Sequence, residues 1–188
     1  MAETQRLLIV DDEPEILNLI EEHLKTLGYL ISKAADGKEA LKKIIDSMSE
    51  GPVDAVISDI TMPHMDGLEL LAEVRTLGMD IPFVFVTGFA DREKTVQALR
   101  LGATDFLEKP YKRRVLVDAV KRAMQVSVLL KNVESEVAAL GQKISMTEEQ
   151  ANFVRTARRE LAILKADAQR AGHEVSSVDE AKKKASGE

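Results

Sequence analysis

The sequence contains no cysteine and no tryptophan, and aromatic residues make up only 4% of its 188 residues. Without cysteine the chain can form no disulfide bond, thiolate metal site or cysteine nucleophile, which suits a reducing compartment. No apolar run reaches the length of a membrane span, because charged residues interrupt each one, and no basic-then-apolar signal segment opens the chain. We therefore expect a soluble, cytoplasmic protein.

A surplus of basic residues is also missing. The formal net charge is -6, and the whole acidic surplus lies in residues 1–124, whereas residues 125–188 are balanced. Binding to nucleic acid requires a positive surface that neutralises phosphates. We therefore expect no nucleic-acid-binding function in either part, and the length fits one domain with an appendage.

Strand-like and helix-like segments alternate five times along residues 1–124. The five short apolar segments of strand length are Leu7–Val10, Tyr29–Ile31, Val53–Ser58, Ile81–Val86 and Thr104–Leu107. Each is followed by a segment with apolar residues at helical spacing, so the pattern predicts five β–α units. Continuous apolar strands in such units indicate an α/β domain, with a parallel sheet covered by helices on both faces.

Capping residues mark the ends of the predicted helices. Pro14 suits the first turn of a helix, and Asp36 and Asp66 are expected N-caps. Gly28 and Gly102 are expected to end two helices as C-terminal caps. In the fourth helix, the predicted apolar residues are Val96, Leu99 and Leu101.

Charged and polar side chains follow the predicted strands at one end. Asp11 and Asp12 follow the first strand, Asp59 the third, Thr87 the fourth and Lys109 the fifth. These strand ends share one edge of a parallel sheet, where ligand sites form. Carboxylates in one cleft repel each other unless a cation joins them. Mg²⁺ suits hard oxygen ligands beside a phosphoryl group, whereas Ca²⁺ needs more ligands than the sequence offers.

Asp59 is a candidate nucleophile for phosphorus. An ionised aspartate can form an acyl phosphate without a general base. The transferring phosphoryl group requires cations and hydrogen-bond donors around its oxygens. We expect Mg²⁺ and Lys109 to supply the charge, and the Thr87 hydroxyl and the Gly88 N–H to supply donors.

Residues 4–124 resemble a response-regulator receiver domain. The stretches that carry the resemblance are Leu8–Pro14, Ser58–Gly67, Val86–Gly88 and Phe106–Pro110. The resemblance implies a doubly wound, flavodoxin-like sheet of strand order 2-1-3-4-5, for which a receiver is a known example. It also implies that a histidine kinase or phosphotransfer protein donates a phosphoryl group to Asp59.

The resemblance also assigns roles to individual residues. Asp12 and Asp59 resemble direct Mg²⁺ ligands together with the Thr61 backbone carbonyl, and Asp11 resembles a carboxylate that reaches the metal through water. Lys109 resembles the lysine that pairs with the phosphoryl group. Thr87 resembles the switch hydroxyl that follows the phosphoryl group, and Phe106 the aromatic switch that turns inward after it. Phe106 replaces the commoner tyrosine, and His64, an expected exposed loop residue, stands where glycine is frequent.

Residues 125–172 are expected to form a helical extension. Its first apolar seam, with steps of four and three, consists of Val126, Leu130, Val133, Val137, Leu140 and Ile144. A second seam, out of register with the first, consists of Val154, Ala157, Leu161, Leu164, Ala168 and Ala171. Ser145–Glu148 reads as a capping box between them. Two arrangements remain open for this segment: one long coiled-coil helix with a register break, or a helical hairpin. Residues 173–188 are expected to be disordered.

The leading interpretation is a phosphorylation-controlled response regulator whose output is protein–protein contact or dimerisation through the helical extension. It is not an enzyme in the ordinary sense, because it catalyses at most its own phosphorylation and dephosphorylation. One alternative is a structural adaptor whose receiver is rarely phosphorylated. A less favoured alternative is an aspartate-nucleophile phosphohydrolase, in which a second aspartate is expected where this chain has Thr61.

Overall fold

The fold was analysed in a computed structural model that describes residues 4–49, 51–88, 92–141, 150, 152, 153 and 155–157. The strands are β1 (Arg6–Val10), β2 (Leu30–Ala34), β3 (Ala55–Ser58), β4 (Phe83–Thr87) and β5 (Asp105–Glu108). The helices are α1 (Pro14–Leu24), α2 (Gly37–Ser47), α3 (Gly67–Thr76), α4 (Arg92–Arg100) and α5 (Arg113–Gly141). A short 3-10 turn, Lys25–Leu27, follows α1.

The five strands form one parallel sheet in the order β2-β1-β3-β4-β5. The predicted α/β class and the 2-1-3-4-5 order are therefore confirmed. Alternate strand residues pack on opposite faces, since successive side chains of a strand point to opposite sides. One face, which includes Leu8, Val56 and Phe85, packs on α2, α3 and α4. The other, which includes Ile9 and Ile57, packs on α1 and α5.

Helix ends follow the local chemistry of the sequence. Asp36 caps α2 by accepting a hydrogen bond from the Glu39 N–H, and Pro14 lies in the first turn of α1. At α3, Asp66 and Glu69 form a reciprocal capping box. Each cap satisfies backbone donors that a helix start leaves without intrahelical partners. Gly28 adopts φ 78° after the 3-10 turn rather than directly after α1.

The sequence interpretation is wrong in several details. The third and fourth strands begin at Ala55 and Phe83, two residues later than predicted. The second strand continues to Ala34 rather than ending at Ile31. It is an edge strand, so polar residues are tolerated on it, and Lys33 forms an ion pair with Glu21 of α1. In α4, Val96 and Leu99 are 40% and 60% exposed, and the small residue Ala98 is buried instead.

The chain divides into two compact units, Met1–Ser127 and Val128–Glu188. In the second unit, Val133 and Val137 of the first seam are half-buried, whereas their described neighbours Asn132, Glu134 and Glu136 are exposed. Ile144, the capping box at 145–148, most of the second seam and residues 173–188 lie outside the described residues. None of the described helices combines the length and the apolar content needed to cross a membrane.

Candidate functional site

Three carboxylates meet at the carboxyl edge of the sheet. Asp11 and Asp12 follow β1, Asp59 follows β3, and each offers an oxygen within 4.8 Å of the others. Burial differs across the cluster, because Asp11 is 1% exposed whereas Asp12 is exposed to solvent. The exposed fraction of the Asp59 side chain, 11%, is intermediate between those of Asp11 and Asp12. The cluster is therefore deep at Asp11 and open to solvent at Asp12.

Lys109, which follows β5, places its ammonium among these carboxylates. Its Nζ lies 2.9 Å from Asp11 Oδ2 and 3.2 Å from Asp59 Oδ2. The Lys109 N–H also donates to the Thr87 carbonyl at 2.8 Å, which fixes the loop after β5 against β4. Burial by itself would lower the pKa of Lys109. The hydrogen bonds and negative charges of Asp11 and Asp59 outweigh burial, so the pKa of Lys109 is raised overall. The lysine is therefore held in its charged form.

Burial is the main reason that the pKa of Asp11 is raised, and the negative charge of Asp59 adds to it. The hydrogen bond and positive charge of Lys109, with the Glu13 N–H, act in the opposite direction. One ammonium thus faces three carboxylates, which leaves an excess of negative charge. Hard oxygen donors at this separation suit a divalent cation, so the residues present fit a metal site.

The carboxylate of Asp59 is oriented by the backbone. Its Oδ1 accepts from the Ile60 N–H at 2.5 Å and from the Thr61 N–H at 3.3 Å. The Asp59 N–H donates to the Val10 carbonyl at 2.9 Å, which ties the end of β3 to β1. Because Oδ1 already accepts two N–H groups, Oδ2 is the oxygen turned towards Lys109.

Thr87 and Phe106 lie on neighbouring strands beside this cluster. Thr87 ends β4 and is 1% exposed. Phe106 pairs in register with Phe85 and is half-buried on the face of the sheet that packs on α2, α3 and α4. The switch roles of Thr87 and Phe106, like the metal contact of the Thr61 carbonyl, stay predictions.

His64 has a backbone conformation that glycine adopts more readily than other residues. It is exposed and adopts φ 66°, the only positive φ among the described residues other than glycine. A side chain in this left-handed region destabilises the backbone by about 1 kcal/mol. His64 therefore occupies a loop position that favours glycine by geometry.

Gly67 is a structural determinant of the site, although the sequence assigns it no role beyond the stretch Ser58–Gly67 that carries the resemblance. Its N–H donates to the Ile60 carbonyl at 2.9 Å, which docks the start of α3 on the loop after β3. A Cβ at this position would lie 2.1 Å from the Asp59 carbonyl oxygen. Only glycine allows this approach, so Gly67 helps to set the position of Asp59.

Lys94 and Asp54 were also missed. Lys94, in the first turn of α4, lies with its Nζ 3.4 Å from Thr61 Oγ1 at the rim of the cluster. Asp54 is buried at the amino-terminal end of the strands, just before β3. There it accepts hydrogen bonds from the Arg6 N–H at 2.7 Å and from Ser127 Oγ at 3.1 Å. Asp54 thus joins β1 to α5 and has no part in the acidic cluster.

Comparison with known proteins agrees with this geometry. Residues 7–121 match the family described as the response regulator receiver domain. The chain is 36% identical over 111 residues to the response regulator SaeR of Staphylococcus epidermidis and 35% identical over 111 residues to SaeR of Staphylococcus aureus. These matches cover 59% of this chain and 46% of each relative, so the chain spans about half the length of the curated relatives it matches.

Solved structures show the same fold. A CheY-like response regulator receiver domain protein from Methanospirillum hungatei superposes with a TM-score of 0.60 at 32% identity, covering 66% of this chain and 97% of that one. The chemotaxis protein CheY4 of Vibrio cholerae superposes with a TM-score of 0.58 at 32% identity, covering 64% and 99%. The fold, the acidic cluster and a family match over more than half of the sequence lead to one conclusion: the chain belongs to the response regulator receiver domain family, with a helical extension after the receiver.

Proposed function

We propose that this chain is a phosphorylation-controlled switch that accepts a phosphoryl group on Asp59 from a histidine kinase or a phosphotransfer protein. The observation that carries the proposal is the position of Asp59 Oδ2, 3.2 Å from Lys109 Nζ and within an acidic cluster. A carboxylate oxygen of this kind needs no general base to attack phosphorus.

Mg²⁺ is the cofactor that we propose for the cluster. Asp12 and Asp59 would hold it directly with the Thr61 carbonyl, and Asp11 would reach it through water. Bound there, the ion would offset the negative charge of an incoming phosphoryl group. The carboxylate donors and their close spacing support this assignment.

The residues of the chain supply the remaining chemistry. Asp59 Oδ2 forms a bond to phosphorus while the bond between phosphorus and the donor atom breaks, and the electron pair of that bond leaves with the donor. Lys109 compensates charge on the phosphoryl oxygens, and the Thr87 hydroxyl and Gly88 N–H donate hydrogen bonds to them. Movement of Thr87 towards the phosphoryl group leaves room for Phe106 to turn inward, which shifts the population between two packings.

Labelling by a small donor tests the switch. Incubated with radiolabelled acetyl phosphate and Mg²⁺, the full chain is expected to incorporate label at about one phosphoryl group per chain. Excess EDTA is expected to reduce the rate at least about tenfold, because the carboxylates then lack the divalent charge that offsets the phosphoryl oxygens. Equal labelling with and without EDTA would contradict a metal-assisted site. No label in either sample would favour the structural adaptor.

The output that we propose is protein–protein contact, with the helical extension forming a homodimer and no contact with nucleic acid, in the cytoplasm. The half-buried positions of Val133 and Val137 on one side of α5 support a seam that can pack against a second helix. The charge balance of residues 125–188 supports a protein rather than a nucleic acid partner.

Light scattering tests this output. We expect the full chain to have the mass of a dimer, and Val133→Glu to have the mass of a monomer, because a buried charge in the seam opposes packing. Ser135→Glu, on the exposed side of the same helix, serves as the matched control and should keep the wild-type mass. Adding Mg²⁺ and beryllofluoride then reports whether phosphorylation changes the assembly. A wild-type monomer in all conditions would exclude self-association.

A further inference from the structure

We propose that Lys94 moves onto the phosphoryl group of Asp59 and prolongs the lifetime of the acyl phosphate. The inference rests on the proposed function and deepens it, since it adds a second lysine to the same site. Its basis is the chain of contacts from α4 to the acceptor. Lys94 Nζ lies 3.4 Å from Thr61 Oγ1, and the Thr61 N–H lies 3.3 Å from Asp59 Oδ1.

The charge balance of the phosphorylated site calls for another cation. In formal charges, Asp11 and Asp12 contribute two negative charges, and the phosphoryl group adds nearly two more. A bound divalent ion and Lys109 together supply three positive charges. About one negative charge therefore remains, and Lys94 is a cation already hydrogen-bonded to the rim of the cluster.

The position of Lys94 in its helix supports the same role. It is the third residue of α4, and the first turn of a helix disfavours a positive side chain because the helix dipole is positive there. The neighbouring acidic cluster offsets this effect and draws the ammonium away from its own helix. Phosphorylation increases that attraction, so the flexible side chain is poised to shift from the Thr61 hydroxyl to a phosphoryl oxygen.

The open side of the site explains how Lys94 would affect hydrolysis. Water that cleaves the acyl phosphate must approach phosphorus opposite to the Asp59 oxygen. Asp12 and Thr61 are exposed, whereas Asp11 and Thr87 are buried, so solvent reaches the cluster from the side of Asp12 and Thr61. An ammonium on that side hinders the approach of water and fixes a phosphoryl oxygen. Its removal should therefore speed hydrolysis without preventing phosphorylation.

The test is the decay of the acyl phosphate in the full-length chain. Wild type, Lys94→Met, Lys94→Arg and Lys121→Met are labelled with radioactive acetyl phosphate and Mg²⁺, and the decay is followed after removal of the donor. We expect Lys94→Met to decay roughly threefold to tenfold faster, because the transition state of hydrolysis becomes easier to reach when the ammonium is absent. Lys94→Arg should stay within about twofold of wild type, because arginine keeps the charge. Lys121 is exposed on α5, so Lys121→Met should decay as wild type does.

A second measurement separates a direct effect of Lys94 on the phosphoryl group from structural damage to the site. Titration of Mg²⁺ by calorimetry, without any phosphoryl donor, should show equal or slightly tighter binding by Lys94→Met, since a nearby positive charge has been removed. Weaker Mg²⁺ binding together with faster decay would indicate a damaged site and overturn the inference. Equal decay of Lys94→Met and Lys121→Met would overturn it too. If wild type takes up label, either of these outcomes overturns the role of Lys94 and leaves the proposed function intact. If wild type takes up no label, the proposed function itself is overturned.

Discussion

Asp59→Asn is expected to abolish phosphoryl incorporation, to at least about a hundredfold below the wild-type rate, because an amide lacks the anionic oxygen that attacks phosphorus. The fold should be retained, since the amide oxygen can still accept from the Ile60 N–H as Oδ1 does at 2.5 Å. Removal of one negative charge from the cluster also reduces repulsion with Asp11 and Asp12. The measurement is incorporation of label from acetyl phosphate with Mg²⁺.

Asp46→Asn is the matched control for this variant. Asp46 is an exposed aspartate of α2, outside the acidic cluster, so its conversion to asparagine should leave labelling at the wild-type rate. Equal thermal unfolding of the two variants and wild type would show that a lost signal does not reflect unfolding. Undiminished label on Asp59→Asn would locate the acceptor at another residue and remove the basis of the proposed mechanism.

The main features of the fold could be predicted because the local signals agree with the tertiary structure. In α3, the Asp66 cap and the apolar spacing of Leu68, Leu71 and Val74 predict the same helix that the core buries. In α4 the signals disagree. Val96 and Leu99 are the larger apolar residues and are 40% and 60% exposed, whereas the helix buries the small residue Ala98. Apolar periodicity alone does not reveal which side of such a helix is buried.

The composition of the acidic cluster could be predicted for a simple topological reason. Asp11, Asp12, Asp59 and Lys109 each follow a strand, and all strands of a parallel sheet end at one edge. The sequence does not encode how the Asp59 carboxylate is turned, because that depends on the N–H groups of the loop after β3. It also gives no local sign of the Lys94–Thr61 contact, which joins residues 33 positions apart.

Gly67→Ala is expected to be the most destabilising single-methyl change near the site, at about 3 kcal/mol. The new Cβ would lie 2.1 Å from the Asp59 carbonyl oxygen, 2.9 Å from Ser58 Oγ and 3.0 Å from the Phe85 ring. The first of these is backbone and the last belongs to the packed core, so neither can move away freely. Either the start of α3 or the loop that carries Asp59 must shift. The measurement is the free energy of unfolding from urea denaturation of the full chain.

Gly78→Ala separates this clash from the general effect of replacing a glycine. Gly78 adopts φ 73°, and a Cβ there would meet nothing within 4 Å, so the variant should lose only about 1 kcal/mol through backbone conformation. Gly67→Ala should therefore exceed it by about 2 kcal/mol. Because the displaced carbonyl belongs to Asp59, the Gly67→Ala chain should also take up label more slowly under conditions in which it remains folded. Equal losses of stability in the two variants would mean that the loop after β3 yields to the methyl group, and that the close contact does not hold the acceptor in place.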